Sequence, residues 1–217
     1  MMRLGTGILC LCCSLVHAGK PLFDMDAIKD ASTLKAEVLE DWHPVDGEVK
    51  TRQKLITISV GELWPGQDLR ATVRMIVPAD CKAEGFHLTG GHQTKQLQKD
   101  ARPRGIEVEL LKGGVGLVYT VVQTLESQGQ HELAKAMDER FLKTLNPHYS
   151  IQYWGWPATL MRATTAAYAE TDYFTPGKVA LSGGSKNGAS PSVALIHDQR
   201  MTAQHGTVSP LWESPLR

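Results

Sequence analysis

The spacing of apolar residues changes along the chain. Residues 54–60 and 69–77 alternate apolar and polar side chains, the two-residue period of a strand with one buried face, and residues 62–68 between them are rich in turn formers. This pattern predicts an antiparallel hairpin. Residues 86–89 form a shorter strand pattern, and residues 116–122 are continuously apolar, which is typical of a strand buried on both faces.

The second half of the chain has a helical period. Helix formers with apolar residues on one side span 132–145, and a second helix pattern covers 156–168, with a proline near its first turn. Short apolar runs at 178–182 and 201–208 predict two more strands, and 192–197 predict a helix between them. The order predicts an α/β fold: a mostly parallel sheet with helices on both faces and an antiparallel N-terminal hairpin.

The N-terminus has the pattern of a secretory signal peptide. Arg3 gives a positive start, residues 4–16 are apolar, and small residues precede a cleavage point after Ala18. We therefore expect residues 1–18 to be removed and the mature protein to be secreted or periplasmic. A buried N-terminal helix is the alternative.

The rest of the chain is predicted to be one domain with a short extension. Residues 19–50 are mixed and polar, and we interpret them as an N-terminal extension that wraps the domain, with a capped short helix at 30–39. Residues 51–217 are interpreted as the domain itself, and the mature chain is long enough to bury a core.

Charge and cysteine content exclude several classes of protein. The 23 basic and 23 acidic side chains cancel, so no overall field attracts nucleic acid, and no apolar run reaches the ~20 residues that a membrane helix needs. Three of the four cysteines lie in the predicted signal peptide, so the mature chain keeps Cys81 and has no internal disulfide. The histidines show no paired-ligand spacing, and we expect neither a metal nor a cofactor.

The sharpest candidate for chemistry is the glycine-dense loop after the strand at 178–182. Ser185 lies on this loop, with Gly183 two residues before it and Gly188 three residues after it. In a nucleophile elbow a serine occupies a tight strand-to-helix turn that projects its hydroxyl above the sheet. The helix start adds unpaired N–H groups and a positive dipole end, which stabilise a developing oxyanion. We therefore predict Ser185 to be a catalytic nucleophile.

Three other interpretations of this loop stay open. Gly183 and Gly188 have the spacing of a phosphate-binding P-loop, but Ala189 stands where that motif needs lysine. A dinucleotide fingerprint needs glycine where Ser185 stands and normally follows the first strand. The glycines also fit a tight turn without chemistry. The position of the loop after several strand–helix units favours the elbow.

A second glycine-rich turn follows the predicted strand at 86–89. Gly90 and Gly91 lie there, followed by His92. In hydrolases with a nucleophile elbow, a loop at this place donates an oxyanion-hole N–H. We predict that the oxyanion hole consists of the amide of Lys186, directly after the serine, and that of Gly91 or His92. An ordinary turn with a solvated His92 is the alternative.

Together these features resemble the α/β-hydrolase superfamily. Residues 179–188, and the pair Asp198 and Arg200 after the next helix, are similar to PhoPQ-activated pathogenicity-related proteins, which are exported and hydrolase-like. The Gly-Gly-Ser-Lys-Asn-Gly sequence at 183–188 is also similar to the Gly-Cys-Ser-Arg-Asn-Gly of glucuronoyl esterases, which cleave esters of glucuronic acid. The resemblance covers roughly residues 50 to 217.

The resemblance implies both a fold and a function. The fold would be an incomplete α/β-hydrolase fold, and the function that of an exported serine esterase acting on a small-molecule or carbohydrate-linked ester. Trp154 and Trp156 are candidates for substrate contact, with core packing as the alternative. Lys186 matches an arginine that contacts acidic substrate in glucuronoyl esterases, or is an exposed lysine at a helix start.

The sequence departs from the family pattern after the serine. The acid and the histidine of the triad normally follow the nucleophile, but only 32 residues follow Ser185, and the last histidine, His205, lies in or beside the next predicted strand. Glu213 is a candidate acid or a solvated glutamate. The acid and base stay unassigned. A non-catalytic binding or accessory protein with the hydrolase fold is therefore the alternative function, and a phosphate-binding protein is a third.

Overall fold

The computed structural model of the chain describes residues 21–207, without the side chains of Lys186 and Asn187. The strands are β1 Glu37–Val45, β2 Thr51–Trp64, β3 Gln67–Pro78, β4 Ala83–Thr89, β5 Gly116–Thr120, β6 Phe174–Gly184 and β7 Met201–Thr207. The helices are α1 Met25–Lys29, α2 Thr94–Leu97, α3 Ile106–Lys112, α4 His131–Thr144, α5 Trp156–Ala169 and α6 Lys186–His197. Short 3-10 turns cover Ala31–Leu34, Glu126–Gln128 and Pro147–Tyr149, and a π-helical turn covers Ile151–Gly155. The predicted signal peptide and Glu213 lie outside the described residues.

The seven strands form a sheet in the order β1-β2-β3-β5-β4-β6-β7. The β1–β2, β2–β3 and β3–β5 pairs are antiparallel, whereas β5–β4, β4–β6 and β6–β7 are parallel. The predicted fold class is confirmed, with an antiparallel N-terminal hairpin, β2–β3, and helices on both faces. The antiparallel part is larger than predicted, because β1 adds a strand and β3 joins β5 in the antiparallel sense.

Each face of the sheet has its own apolar core, so apolar residues that follow one another in β2 are buried on opposite faces. Ile56 and Ile58 belong to the main core, into which α1, α5 and α6 also bury side chains, whereas Leu55 belongs to a smaller core beneath α2 and α3. All five residues of β5 are buried, as its continuous apolar pattern predicted. Removal of these side chains from water supplies most of the favourable free energy of folding.

Residues 21–50 are part of the sheet and core, rather than a segment that only wraps them. β1 pairs with β2, and Ile28 of α1 is buried in the main core. Arg162 of α5 is 2% exposed, and its guanidinium donates to the carbonyl oxygens of Ala27, Ile28 and Asp30 at 2.9–3.1 Å. A buried cation paired with these carbonyls ties the segment to the longest buried helix.

The helix predicted at 30–39 is wrong beyond its first turn. A 3-10 turn covers Ala31–Leu34, and the Asp30 carboxylate caps it by accepting from an amide two residues on, at 2.9 Å. Lys35 then adopts a left-handed conformation with φ 45°, and the chain enters β1 at Glu37. Pairing with β2 outweighs the helical propensity of this stretch.

The boundaries of several other elements also differ from the prediction. α6 begins at Lys186 instead of 192, and Pro191 lies inside it. The 62–68 turn is shorter than predicted, because β2 and β3 continue until only Pro65 and Gly66 lie between them.

Candidate active site

Two neighbouring strands, β4 and β6, send the chain to opposite faces of the sheet. The connection after β4 carries α2 and α3 over the smaller core, whereas the connection after β6 carries α6 over the main core. In open α/β sheets, such diverging connections leave a crevice at the carboxyl ends of the strands, where ligands bind. Thr89 of β4 pairs with Ser182 of β6, so the turn at Ser185 and the loop at Gly91 lie at this same edge.

Ser185 occupies the strand-to-helix turn that the sequence predicted. It follows β6, an interior strand between β4 and β7, and it is the N-cap of α6. Its backbone angles are φ 54° and ψ −127°, a conformation that a residue with a side chain rarely adopts and that costs about 1–3 kcal/mol. The Ser185 amide donates to the carbonyl oxygen of Thr207 at 2.8 Å, and the residue is exposed. The turn is therefore strained, and β7 holds it in place.

The glycines around Ser185 let the strand and the helix approach closely. A Cβ atom at Gly188 would lie 3.2 Å from the carbonyl oxygen of Gly183, closer than ordinary packing allows. The Gly188 amide donates to the Ser185 carbonyl at 2.9 Å and closes the first turn of α6. The amide of Lys186 stands at the start of α6, among the N–H groups that have no acceptor within the helix.

The loop after β4 begins with a glycine that the packing requires. A Cβ atom at Gly90 would lie 2.7 Å from Cβ of Val122, whereas a Cβ at Gly91 would meet nothing closer than 3.8 Å. The Val122 amide donates to the Gly90 carbonyl at 2.7 Å, and Gly91 forms an isolated antiparallel bridge with Val121. The predicted oxyanion loop is thus fixed against the chain that leaves β5.

His92 is half-buried on this loop, and sequence reasoning missed its neighbours. Its ring stacks on Tyr119 of β5, with centroids 4.1 Å apart and an interplanar angle of 25°. The Tyr119 hydroxyl donates to Oε1 of Glu107 at 2.7 Å. Burial lowers the pKa of His92, partly opposed by the Glu107 charge, and burial and Glu107 together raise the pKa of Tyr119. The imidazole is therefore neutral at neutral pH.

A serine–histidine pair lies beneath the crevice, and the sequence did not indicate it. Nε2 of His87 on β4 is 2.8 Å from Oγ of Ser182 on β6. The Nδ1 atom of His87 is buried and has no hydrogen-bond partner among residues 21–207. Burial lowers the pKa of His87, so the neutral imidazole is favoured. Because these residues lie two strands apart in sequence order and are adjacent only in the sheet, no local motif marks them.

No general base is assembled next to Ser185 in the described part of the chain. In residues 21–207, the histidine nitrogens that form hydrogen bonds do so with other groups, and none of them contacts the Ser185 hydroxyl. His205 lies on β7 opposite Ser182, is exposed, and its Nε2 is 3.2 Å from Oγ1 of Thr207. The strand therefore does not bring His205 to the serine as a partner.

The two tryptophans predicted as substrate contacts lie in the main core. Trp154 is 6% exposed and Trp156 is 3% exposed, and the indole N–H of Trp156 donates to the carbonyl of Gln123 at 2.9 Å. Neither ring presents a face to solvent, so the burial supports the core-packing alternative. Tyr153, which precedes them, is 59% exposed.

The residues most suited to a metal lie away from the crevice. Glu40, His43 and Asp100 bring ligand atoms within 4.8 Å of one another. The guanidinium of Arg74 already neutralises them, at 2.6 Å from Glu40 and 3.6 Å from Asp100. Since a cation occupies the centre of this cluster, we interpret it as an ion-pair network that joins β1, β3 and the loop after α2.

Two cavities lie at the opposite edge of the sheet from Ser185. One of about 220 Å³ is lined by residues 45–49 and 101–104, and one of about 290 Å³ is lined by residues 77–82 together with Tyr173. Both adjoin the amino ends of the parallel strands, where neither Ser185 nor Gly91 reaches. Neither cavity is therefore part of the candidate site.

The sequence matches no family model and no curated protein. Among solved structures it is similar to a CE15 glucuronoyl esterase from Teredinibacter turnerae T7901 (14% identity, 79% of this chain, 44% of that chain, TM-score 0.48). It is also similar to a glucuronoyl esterase from Solibacter usitatus (20% identity, 79% of this chain, 50% of that chain, TM-score 0.45). A third similar structure is the rice cell wall degrading esterase LipA from Xanthomonas oryzae (12% identity, 79% of this chain, 48% of that chain, TM-score 0.43). The chain spans half or less of the length of these neighbours.

All three TM-scores lie below 0.5, so function has to be argued from the geometry of the site itself. The resemblance to PhoPQ-activated pathogenicity-related proteins stays a prediction. Within residues 21–207, no helix is both long and apolar enough to cross a membrane.

Proposed function

We propose that this chain carries the nucleophile and oxyanion hole of an exported serine esterase with an α/β-hydrolase fold. The observation that carries the proposal is the strained backbone of Ser185, φ 54° and ψ −127°, at the carboxyl end of an interior strand. Strain of this kind persists where the surrounding structure enforces it, and it collects at functional sites. A plain turn at this place would use glycine, which adopts positive φ without strain.

In the proposed reaction, Oγ of Ser185 attacks the carbonyl carbon of an ester. The Lys186 amide, at the positive end of α6, and an amide of the Gly91–His92 loop stabilise the negative charge that forms on the carbonyl oxygen. The bond to the alcohol then breaks, the alcohol leaves with a proton, and an acyl group stays on Ser185. Water completes the cycle by attacking the acyl-serine.

The serine proton needs an acceptor, because a free hydroxyl is a weak nucleophile. Residues 21–207 hold no histidine at hydrogen-bond distance of Ser185. We propose that full activity of this site needs a base supplied from outside the described residues. The catalytic acid and histidine stay unassigned, and a role for Glu213 stays a prediction.

We propose a small-molecule or carbohydrate-linked ester as the substrate. The overall charge of the chain is zero, so no overall field attracts nucleic acid. Lys186 directly follows the candidate nucleophile and, in the resemblance of residues 183–188 to glucuronoyl esterases, matches an arginine that contacts acidic substrate, which supports an acidic sugar as part of the ester. A contact with Lys186 would therefore set the specificity for the acid part of the ester, not for its alcohol part.

An active-site probe tests the nucleophile. Purified chain is incubated with a fluorophosphonate, and the labelled peptide is identified by mass spectrometry. We expect labelling of Ser185 that is lost in Ser185→Ala and kept in Ser182→Ala, a matched control that removes a serine hydroxyl three residues away. Labelling that survives Ser185→Ala, or that needs Ser182, would assign the chemistry elsewhere.

A binding or accessory protein with the same fold is the second candidate. The observation that favours it is the absence, among residues 21–207, of a base beside Ser185. A folded sample that shows no labelling but is stabilised in a thermal melt by an ester or its product acid would support this alternative. Stabilisation by a nucleotide would support the phosphate-binding interpretation of the loop.

We also propose export with removal of residues 1–18. The charged start, apolar stretch and small residues before Ala18 support this proposal. Expression with the complete N-terminus in a bacterium, followed by intact-mass measurement of the periplasmic fraction, tests it. A mature N-terminus at Gly19 is expected, and retention of residue 1 in the product would contradict it.

A further inference from the structure

The ring of His92 is held on the β5 side of the crevice by two neighbours. It stacks on Tyr119 at 4.1 Å, and the hydroxyl of Tyr119 donates to the Glu107 carboxylate at 2.7 Å. Tyr119 is 4% exposed, so this ring is fixed within the smaller core. A continuous set of contacts therefore links α3, β5 and the loop after β4.

The backbone hydrogen bonds of the same loop determine where its amide groups point. The Val122 amide donates to the Gly90 carbonyl, which makes Gly91 and Val121 the residues between hydrogen bonds in an antiparallel bridge. The N–H and C=O groups of such a pair point away from each other. The Gly91 amide therefore points away from the chain that leaves β5, and its hydrogen bond to Oγ1 of Thr89 on β4 is long, at 3.5 Å.

We propose that Glu107, Tyr119 and His92 form a clamp that positions the Gly91 amide as the oxyanion donor. The proposal rests on the proposed esterase function for its catalytic consequence. In this arrangement His92 acts through the stacking of its ring, not through proton transfer. Glycine at 91 has no side chain that could hold it, and a Cβ there would touch only Oγ1 of Thr89, at 3.8 Å. The flanking stack supplies that restraint.

The kinetic test uses the rate constant of fluorophosphonate labelling at Ser185. His92→Ala removes the stacking ring, and we expect labelling to slow about tenfold or more, since a displacement of about 1 Å at a reacting centre has effects of this size. His92→Phe keeps a planar ring without a titrating nitrogen, and we expect a rate within about twofold of the unaltered protein. His131→Ala, at an exposed histidine of α4, is the matched control.

Two other variants test the rest of the clamp. Tyr119→Phe keeps the ring and removes only its hydrogen bond to Glu107, so we expect a smaller loss than in His92→Ala. Glu107→Gln keeps an acceptor for the tyrosine hydroxyl, and we expect little change. If His92→Phe is as slow as His92→Ala, the imidazole itself is needed, and the stacking proposal is overturned.

A second readout does not depend on catalysis. Hydrogen exchange at the Gly91 amide, measured by NMR at constant pH, should be faster in His92→Ala than in the unaltered protein and unchanged in His92→Phe. Unchanged exchange in His92→Ala overturns the clamp, whatever the labelling shows. If the unaltered protein is not labelled at all, the proposed function fails, and the exchange data alone decide the clamp.

Discussion

The antiparallel end of the sheet and its parallel end differ in how their polar groups are hydrogen-bonded and in backbone strain. At the antiparallel end, the buried guanidinium of Arg74 lies 2.6 Å from the Glu40 carboxylate and also donates to a backbone carbonyl at 2.8 Å. At the parallel end, Ser185 has a strained backbone, and Nδ1 of His87 is buried without a partner among residues 21–207. β7, the outermost strand there, is exposed along most of its length.

This difference separates the scaffold from the site. Buried charges with complete hydrogen bonding fix one arrangement of the strands, whereas strain and unsatisfied polar groups are tolerated where function needs them. Arg162 is a second buried, hydrogen-bonded cation, and it ties the N-terminal segment and β2 to α5. The parallel end has a satisfied pair as well, Arg200 with the buried Asp198 before β7, and the strained turn at Ser185 lies at the other end of that strand.

Loss of the buried network should give the largest effect. Arg162→Met would remove the charged donor of the carbonyl groups of Ala27, Ile28 and Asp30, which would keep the uncharged donors of Thr33 and Thr165, and we expect a loss of about 3 kcal/mol in the free energy of unfolding. Urea unfolding followed by tryptophan fluorescence measures it. Arg104→Met, at an exposed position, is the control, and equal effects of the two variants would contradict this account.

A change in the loop after β4 should destabilise less. In Gly90→Ala the new Cβ would lie 2.7 Å from Cβ of Val122, and the overpacking should cost about 2 kcal/mol. Gly91→Ala adds the same atom one residue later, where the nearest neighbour would be 3.8 Å away, so its stability should change little. Thermal melts of both variants make the comparison. A larger loss for Gly91→Ala would show that the loop is packed differently.

Local patterns were sufficient to predict most of the fold from the sequence. Buried side chains are mostly apolar, so they recur with the period of the element that carries them. This gave the two-residue period of β2 and β3 and the helical period of α4 and α5. The pattern failed at β1, because its side chains are mostly exposed and its conformation depends on pairing with β2. It also failed at the start of α6, which begins six residues before the predicted helix, because the glycine- and serine-rich residues there have no apolar period.

The candidate site was predictable only in its local part. The glycines at 183 and 188 indicate a close strand–helix approach, and Ser185 has the backbone conformation that such a turn requires. The stack of His92 on Tyr119 joins a loop to the next strand, and no spacing in the sequence marks such a contact. The tryptophans were a poor guide, because an aromatic pair before a helix has the same pattern in a core as at a site.

Relief of the strain at the turn should stabilise the protein. Ser185→Gly accepts φ 54° freely, so we expect a gain of about 1 kcal/mol, the released strain less the entropy that glycine adds to the unfolded chain. Ser185→Ala keeps the strain and should leave stability unchanged within about 0.5 kcal/mol. Urea unfolding of the two variants separates strain from the loss of the hydroxyl. A loss of stability in the glycine variant would show that the turn is unstrained.

The two ends should also respond to pH with opposite signs. Burial lowers the pKa of His87 in the folded state, with Glu107 partly opposing it. Below the ordinary histidine pKa, His87 is therefore protonated in the unfolded chain but stays neutral in the folded chain. The free energy of unfolding falls as the pH falls. His87→Asn should reduce this acid-side loss. We would compare the free energy of unfolding at pH 5 and pH 8 for both proteins, and an unchanged difference would contradict the assignment.

His43, at the antiparallel end, should act in the other direction and more weakly. Hydrogen bonds to the Asp41 carbonyl and to Asp100, each 2.8 Å long, raise its pKa in the folded state. Its contribution to stability is then complete below the ordinary histidine pKa and is lost as the pH rises through the raised value. Because both partners are partly exposed, we expect less than about 1 kcal/mol. In the same pH 5 and pH 8 comparison, His43→Asn should therefore lose more stability at pH 5 than at pH 8, and the reverse order would show that Asp100 does not pair with the histidine.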